Sequence, residues 1–275
     1  MLNYSENKTS DTDVPGGGMS PLLSFANVSH VYGSAASPVA ALQNINLDVA
    51  PGEFVAVVGA SGCGKSTLLR IASGLLKPSA GDAMFAGEAI EGPTSQVSMI
   101  FQDAVMLPWF TVLENVALPE KIARRNLDAA RHRARSMLRA AGLEGFENVY
   151  PDMLSGGMRQ RAAIVRALIT QPSMLLMDEP FGALDAMTRE NMNLQLSDIS
   201  SDSGCGVLLI THSIAEAVLL ADRVVVMSPR PGRIVDEIDI PLPRPRTRAT
   251  MANPVFTSLC DQLRCHFTVE GRGIE

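Results

Sequence analysis

At 275 residues, with 46 % hydrophobic and 19 % charged side chains, the chain has the composition of a globular protein and excludes an intrinsically disordered one. The length suits one large domain or two small ones with ample core. A net charge of −6 speaks against a general nucleic-acid binder, and no uncharged apolar run approaches the roughly 18 residues of a membrane span.

Residues 1–20 lack the basic start and apolar centre of a secretory signal, and their polar, Gly-rich texture (Gly16 to Gly18) reads as a flexible leader. Leu22 to Val31 and Ile45 to Val49 alternate apolar and polar, which predicts strands of an antiparallel β subdomain. Glu53 to Val58 reads as a buried strand, and Ser66 to Ser73 as a helix closed by Gly74. The texture changes near residue 103. Asn126 to Gly142 carries an apolar stripe at Leu127, Ala130, Ala134, Met137, Leu138 and Ala141, with Gly142 as its C-cap. Arg131, Arg133, Arg135 and Arg139 lie largely off that stripe and read as a solvated face. A second helix follows residue 155, with Met158, Ala162, Val165 and Ile169 on one face.

Three strand-like runs then alternate with helical stretches: Met174 to Met177, Val207 to Ile210 and Val224 to Met227. That is the βαβ rhythm of a parallel sheet. The predicted organisation is therefore an α/β core over 22–102 and 166–240, interrupted by a helical insert over 103–165. The tail from Pro241, with Pro-Leu-Pro-Arg-Pro-Arg, is expected to be an extended, basic linker to a short terminal element. Cys63, Cys205, Cys260 and Cys265 fit reduced thiols. Cys260 and the pair Cys265-His266 have no second ligand pair beside them, so packing is preferred to zinc.

The stretch Gly59-Ala60-Ser61-Gly62-Cys63-Gly64-Lys65-Ser66 fills the pattern G-x-x-x-x-G-K-[ST], with Thr67 next. Glycines let backbone N–H groups turn inward onto phosphate oxygens, and the following helix N-terminus adds positive charge there. Lys65 offers a cation to the β- and γ-phosphates and Ser66 a hydroxyl to Mg²⁺. Met174 to Pro180 is an apolar strand that delivers Asp178 and Glu179 at its C-terminal end, where open α/β sheets bind ligands. Asp178 is the natural partner for Mg²⁺ and Glu179 the candidate base for water. His212 ends another such strand on the same edge, and on its own it reads as a satisfied polar residue more often than as a site. Leu154-Ser155-Gly156-Gly157-Met158 offers an N-cap and two open glycines, which makes a second anion-binding helix start.

Together these motifs resemble, in order and over about residues 22–240, the ATP-binding subunits of ATP-binding cassette (ABC) transporters. Gly59 to Ser66 is similar to Walker A, Gln102 to the Q-loop, and Leu154 to Met158 to the signature, with Met158 in place of Gln. Met174 to Glu179 is similar to Walker B, Ala183-Leu184-Asp185 to the D-loop, His212 to the switch histidine, and Tyr32 to the aromatic that stacks on adenine. Leu107 to Val112, the Leu-Ser-Gly-Gly-Met run and Ser228 to Ile234 resemble the branch serving nitrate, sulfonate and taurine importers.

The resemblance implies a P-loop NTPase (RecA-like) core and two cassettes, most simply a homodimer, paired head to tail around ATP. Gly59, Ser61, Gly62, Cys63, Gly64, Lys65, Ser66 and Thr67 would hold ATP, and Ser66, Gln102 and Asp178 would serve Mg²⁺. Glu179 would polarise water, with His212 on the γ-phosphate and Gln102 completing the catalytic set. Ser155, Gly156 and Gly157 would clamp the partner's ATP, and Asp185 would lie at the dimer interface. Implied partners are permease subunits, received by the Gln102 to Thr111 segment, and indirectly an extracytoplasmic solute-binding protein. The implied place is the cytoplasmic face of the inner membrane. An exporter cassette, or an ATP-gated clamp working without turnover, would share most of these residues.

Overall fold

The structure, a computed structural model, describes residues 20–33, 37–182, 185, 187, 189–194, 196 and 204–268. The expected leader therefore lies outside the described residues except for Ser20, and so do Ala183 and Leu184 of the expected D-loop.

Two sheets form the frame. Strands β1 (Leu23–Tyr32), β2 (Val39–Val49), β4 (Ala80–Phe85) and β5 (Glu88–Ala89) pair antiparallel in the order β2-β1-β4-β5. The second sheet has the order β10-β9-β3-β8-β7-β6, where β3 is Phe54–Gly59, β6 Val97–Ile100, β7 Met174–Asp178, β8 Gly206–Thr211, β9 Arg223–Met227 and β10 Ile234–Asp239. It is parallel except at β10, which returns antiparallel to β9. Strands buried on both faces should be continuous apolar runs, and β3, β8 and most of β7 and β9 are. Strand β6 was not anticipated; at four residues it is too short to show a period.

The pleat of β3 divides the core. Phe54, Ala56 and Val58 face a cluster that includes Val218, Leu219 and Leu220. Val55 and Val57 face the other side, where Leu68, Leu69 and Ile71 of α1 (Lys65–Ala72) and the inner residues of the antiparallel sheet close over them. Helix α1 stops where the sequence predicts. Gly74 N–H donates to Ile71 O and Leu75 N–H to Arg70 O, the paired bonds of a glycine-closed helix end.

A third cluster joins α2 (Val112–Ile122), α3 (Leu127–Ala140) and α4 (Gly156–Leu168). Thr111 and Glu114 form a reciprocal capping box at α2. Ala130, Ala134 and Leu138 are the buried line of α3. Helix α4 serves two cores: Ala162, Val165 and Ile169 (its C-cap) join the helical cluster, while Ile164 and Leu168 join the central one. The expected border at residue 165 thus falls inside α4.

The tail departs from expectation. After a short α6 (Arg248–Met251), following α5 (Ile214–Leu220), residues Pro254–Thr268 form a 15-residue helix, α7. Phe256, Leu259, Cys260 and Leu263 enter the central core from it. Their spacing of i, i+3, i+4 and i+7 is a helical stripe that the Pro-rich stretch before it obscured. Arg246, expected in an extended basic linker, is 2 % exposed and donates to the carbonyls of Val218, Leu219, Ala221, Ile240 and Leu242. Burial, with Arg244 beside it, pulls its pKa down to about 10, so it stays charged near neutrality and ties the tail to the end of α5.

Candidate functional site

Parallel register sets the site. Val58 pairs with Thr211 on β8, and Ile210 pairs with Asp178 on β7, so the C-terminal ends of β3, β7 and β8 lie on one edge. Gly59, Asp178, Glu179 and His212 leave the sheet there, as an open α/β sheet requires of its ligand site.

The loop from Gly59 to Gly64 closes onto its own lysine. Lys65 Nζ donates to Gly59 O at 2.8 Å and Ala60 O at 3.0 Å, and the residue is 6 % exposed. Gly64 sits at φ 110°, pressed so near β2 that a Cβ would stand 2.7 Å from Ala41 O; only glycine fits both demands. Cys63 is buried, with Sγ 3.9 Å from Lys65 Nζ. Ser66 Oγ donates to Asp178 Oδ1 at 3.2 Å, so the hydroxyl and carboxylate expected to share a cation already meet. Burial raises the pKa of Asp178, opposed by that Ser66 bond. A partly buried carboxylate of this kind fits a nearby cation.

Tyr32 OH and Thr67 Oγ1 are 3.3 Å apart, and the Tyr32 ring stands edge-on to His30 with centroids 4.5 Å apart. Glu179 adopts φ 45°, its N–H donates to Ile210 O at 2.8 Å, and its Oε2 lies 3.0 Å from His212 Nδ1. Below this pair Glu216 is buried, its Oε2 accepting from the Thr211 hydroxyl, and burial pushes its pKa up. These parts surround a cleft of about 590 Å³ lined by Tyr32, Ser61, Gly62, Gly64, Lys65, Ser66, Thr67, Gln102, Asp178 and Glu179. His212 joins through its bond to Glu179.

Three residues that sequence reasoning did not assign to the site, Val39, Ala41 and Arg230, also line the cleft. Val39 and Ala41 carry no chemical signal. Arg230 stood inside the Ser228 to Ile234 run, whose position against a loop 168 residues earlier in the chain no local pattern announces.

Ser155, Gly156 and Gly157 stand elsewhere. Ser155 N-caps α4 by accepting from Met158 N–H at 3.3 Å. Ser155 and Gly157 line a separate recess of about 520 Å³ with Met158, Arg161, Asn191, Met192 and Leu194. No phosphate-loop residue lines it. Asp185 is exposed, with its carbonyl accepting from Arg189 N–H. Within one chain, the two expected halves of the nucleotide site do not meet.

Comparison with known proteins agrees with this geometry. Residues 42–182 match the ABC transporter family. A taurine import ATP-binding protein, TauB, of Burkholderia pseudomallei (strain 1710b) is 45 % identical over 242 residues, which covers 86 % of this chain and 93 % of that protein. Among solved structures, a dimeric ATP-binding cassette in a post-hydrolysis state bound to ADP and Pi aligns with a TM-score of 0.70 at 33 % identity. That alignment covers 79 % of this chain and 98 % of the other. CbiO1 of Clostridium perfringens, part of the ABC transporter complex CbiONQ, aligns at 0.71 and 27 % identity, over 80 % of this chain and 88 % of that one. With these two separate recesses in its fold, the chain belongs to the ABC transporter family, as its ATP-hydrolysing subunit.

Proposed function

We propose that this ATPase energises import of a small solute of the taurine, sulfonate or nitrate class through separate permease subunits. In this reading it works as a head-to-tail pair of identical chains on the cytoplasmic face of the membrane. The observation that carries the solute class is the 45 % identity to a taurine import ATP-binding protein. Among the described residues no helix is long and apolar enough to cross a membrane, in keeping with a subunit that docks on others.

In this reading Lys65 and the loop amides hold the phosphates, Thr67 and Tyr32 take the nucleoside side, and catalysis is mainly positioning and charge stabilisation. Ser66, Asp178 and Gln102 supply oxygen ligands to Mg²⁺, which would neutralise phosphate charge. Glu179 takes the proton of the attacking water. His212 fixes its carboxylate through the 3.0 Å contact and turns the other ring nitrogen toward the γ-phosphate. Ser155, Gly156 and Gly157 present their helix start to the partner's ATP, with Asp185 near the join. The separation of the two recesses supports a site shared by two chains.

The permease face is the Gln102 to Thr111 segment. Val105 and Trp109 are exposed there, Trp109 by 67 %, and Phe101 is exposed just before it, an apolar set suited to a helix laid in a groove. Purification with its permease and reconstitution in vesicles tests the whole reading. Phosphate release should rise when taurine, an alkanesulfonate or nitrate is supplied with the cognate solute-binding protein. Release indifferent to all three would remove the solute assignment.

A further inference from the structure

The segment between β9 and β10, Ser228 to Arg233, has no part in the chemistry above, yet it is built onto the phosphate loop. Gly232 lies so close that a Cβ there would stand 2.1 Å from Cys63 O, a backbone clash that no rotamer relieves. Its N–H donates to Ala41 O and its carbonyl accepts from Gln43 N–H, both at 2.9 Å, which pins the segment to β2. Ser228 folds it back on itself, with N–H to Arg233 O at 2.9 Å and Oγ accepting from Arg233 N–H at 3.1 Å. From this fixed base Arg230 reaches Gly62 O with Nε at 3.3 Å and Nη2 at 3.2 Å. Its Nη1 has no hydrogen-bond partner among the described residues.

The charge of the cleft gives this placement a consequence. Lys65 and Arg230 are the cations that line it, against the carboxylates Asp178 and Glu179. Lys65 is already engaged with two carbonyls. A triphosphate brings several negative charges, and a guanidinium fork is the side chain best shaped to meet them.

We propose that Arg230 is a nucleotide-binding residue, held by the Ser228 to Arg233 loop so that its free Nη1 gives the phosphate chain of ATP a second cation. This rests on the reading of the cleft as the ATP site. The test is calorimetric binding of ATP and ADP to wild type, R230M and R230K. Arg230 is exposed, and matched urea midpoints establish that the variants fold. R230M should raise the Kd for both nucleotides about tenfold, the scale of one charge-assisted hydrogen bond. R230K should regain most of that, because it restores the cation. A wild-type Kd in R230M, or equal weakening in R230K and R230M, overturns the proposal alone; the second result would mean that the contact only shapes the loop at Gly62. A wild-type chain that binds no ATP overturns the ATP reading and the proposal with it.

Discussion

Glu179 and His212 show how little room the chemistry leaves a side chain. Glu179 follows a buried strand and turns at once into a left-handed conformation, its N–H tied to Ile210 O. Its carboxylate is thereby presented to the cleft, with Oε2 3.0 Å from Nδ1 of His212 on the neighbouring strand's exit. For the proposed base, Glu179→Gln keeps the shape and removes the proton acceptor. Phosphate release should fall ~10²–10⁴-fold, the contribution of a general base, or about 3–5 kcal/mol of barrier. The variant should also persist as an ATP-bound dimer on gel filtration; release near the wild-type rate would exclude Glu179 as the base. Arg230 belongs to this scale too, because a single guanidinium decides whether Lys65 faces the phosphates alone.

Among the elements, α7 decides most about stability. It supplies Phe256, Leu259, Cys260 and Leu263 to the core that also holds β3 and α5. Arg246 just before it caps the carbonyls at the end of α5, the helix that begins after His212. The tail is thus part of the support of the segment that carries His212. Leu263→Ala, at a fully buried position, should lower unfolding stability by about 2–5 kcal/mol. Thr257→Ala, on the exposed face of the same helix, should stay within about 0.5 kcal/mol. Urea midpoints compare the two, and equal midpoints would mean that α7 only rests on the surface. Helix α4 has the complementary task of joining the helical cluster to the central core.

At the scale of the molecule, the cleft at the phosphate loop and the recess at Ser155 are separate in one chain. If a second copy completes each site, a bulky cation at Ser155 should leave the chain's own cleft untouched. Ser155→Arg is expected to bind ATP with near-wild-type affinity, to release almost no phosphate and to stay monomeric with ATP. Loss of ATP binding in the isolated monomer would show that Ser155 serves its own chain's nucleotide. Mixing Ser155→Arg with Glu179→Gln chains should give no dimer with two intact sites.

The sequence by itself determined the parts whose signal is local. The loop from Gly59 to Ser66, the strand that ends in Asp178 and Glu179, the helix closed by Gly74 and the α3 stripe each follow from residues within one or two turns or one strand of each other. Turn chemistry, capping and hydrophobic period act at that range. The tertiary structure decided what meets across the chain. Parallel register brought Thr211 level with Val58 and Asp178 level with Ile210. A close glycine contact carried Arg230 to Gly62, and burial turned Arg246 from a presumed linker charge into a core clamp. Those contacts span tens to more than a hundred residues, and only the packing of whole elements, with no periodic trace in the chain, fixes which of them form.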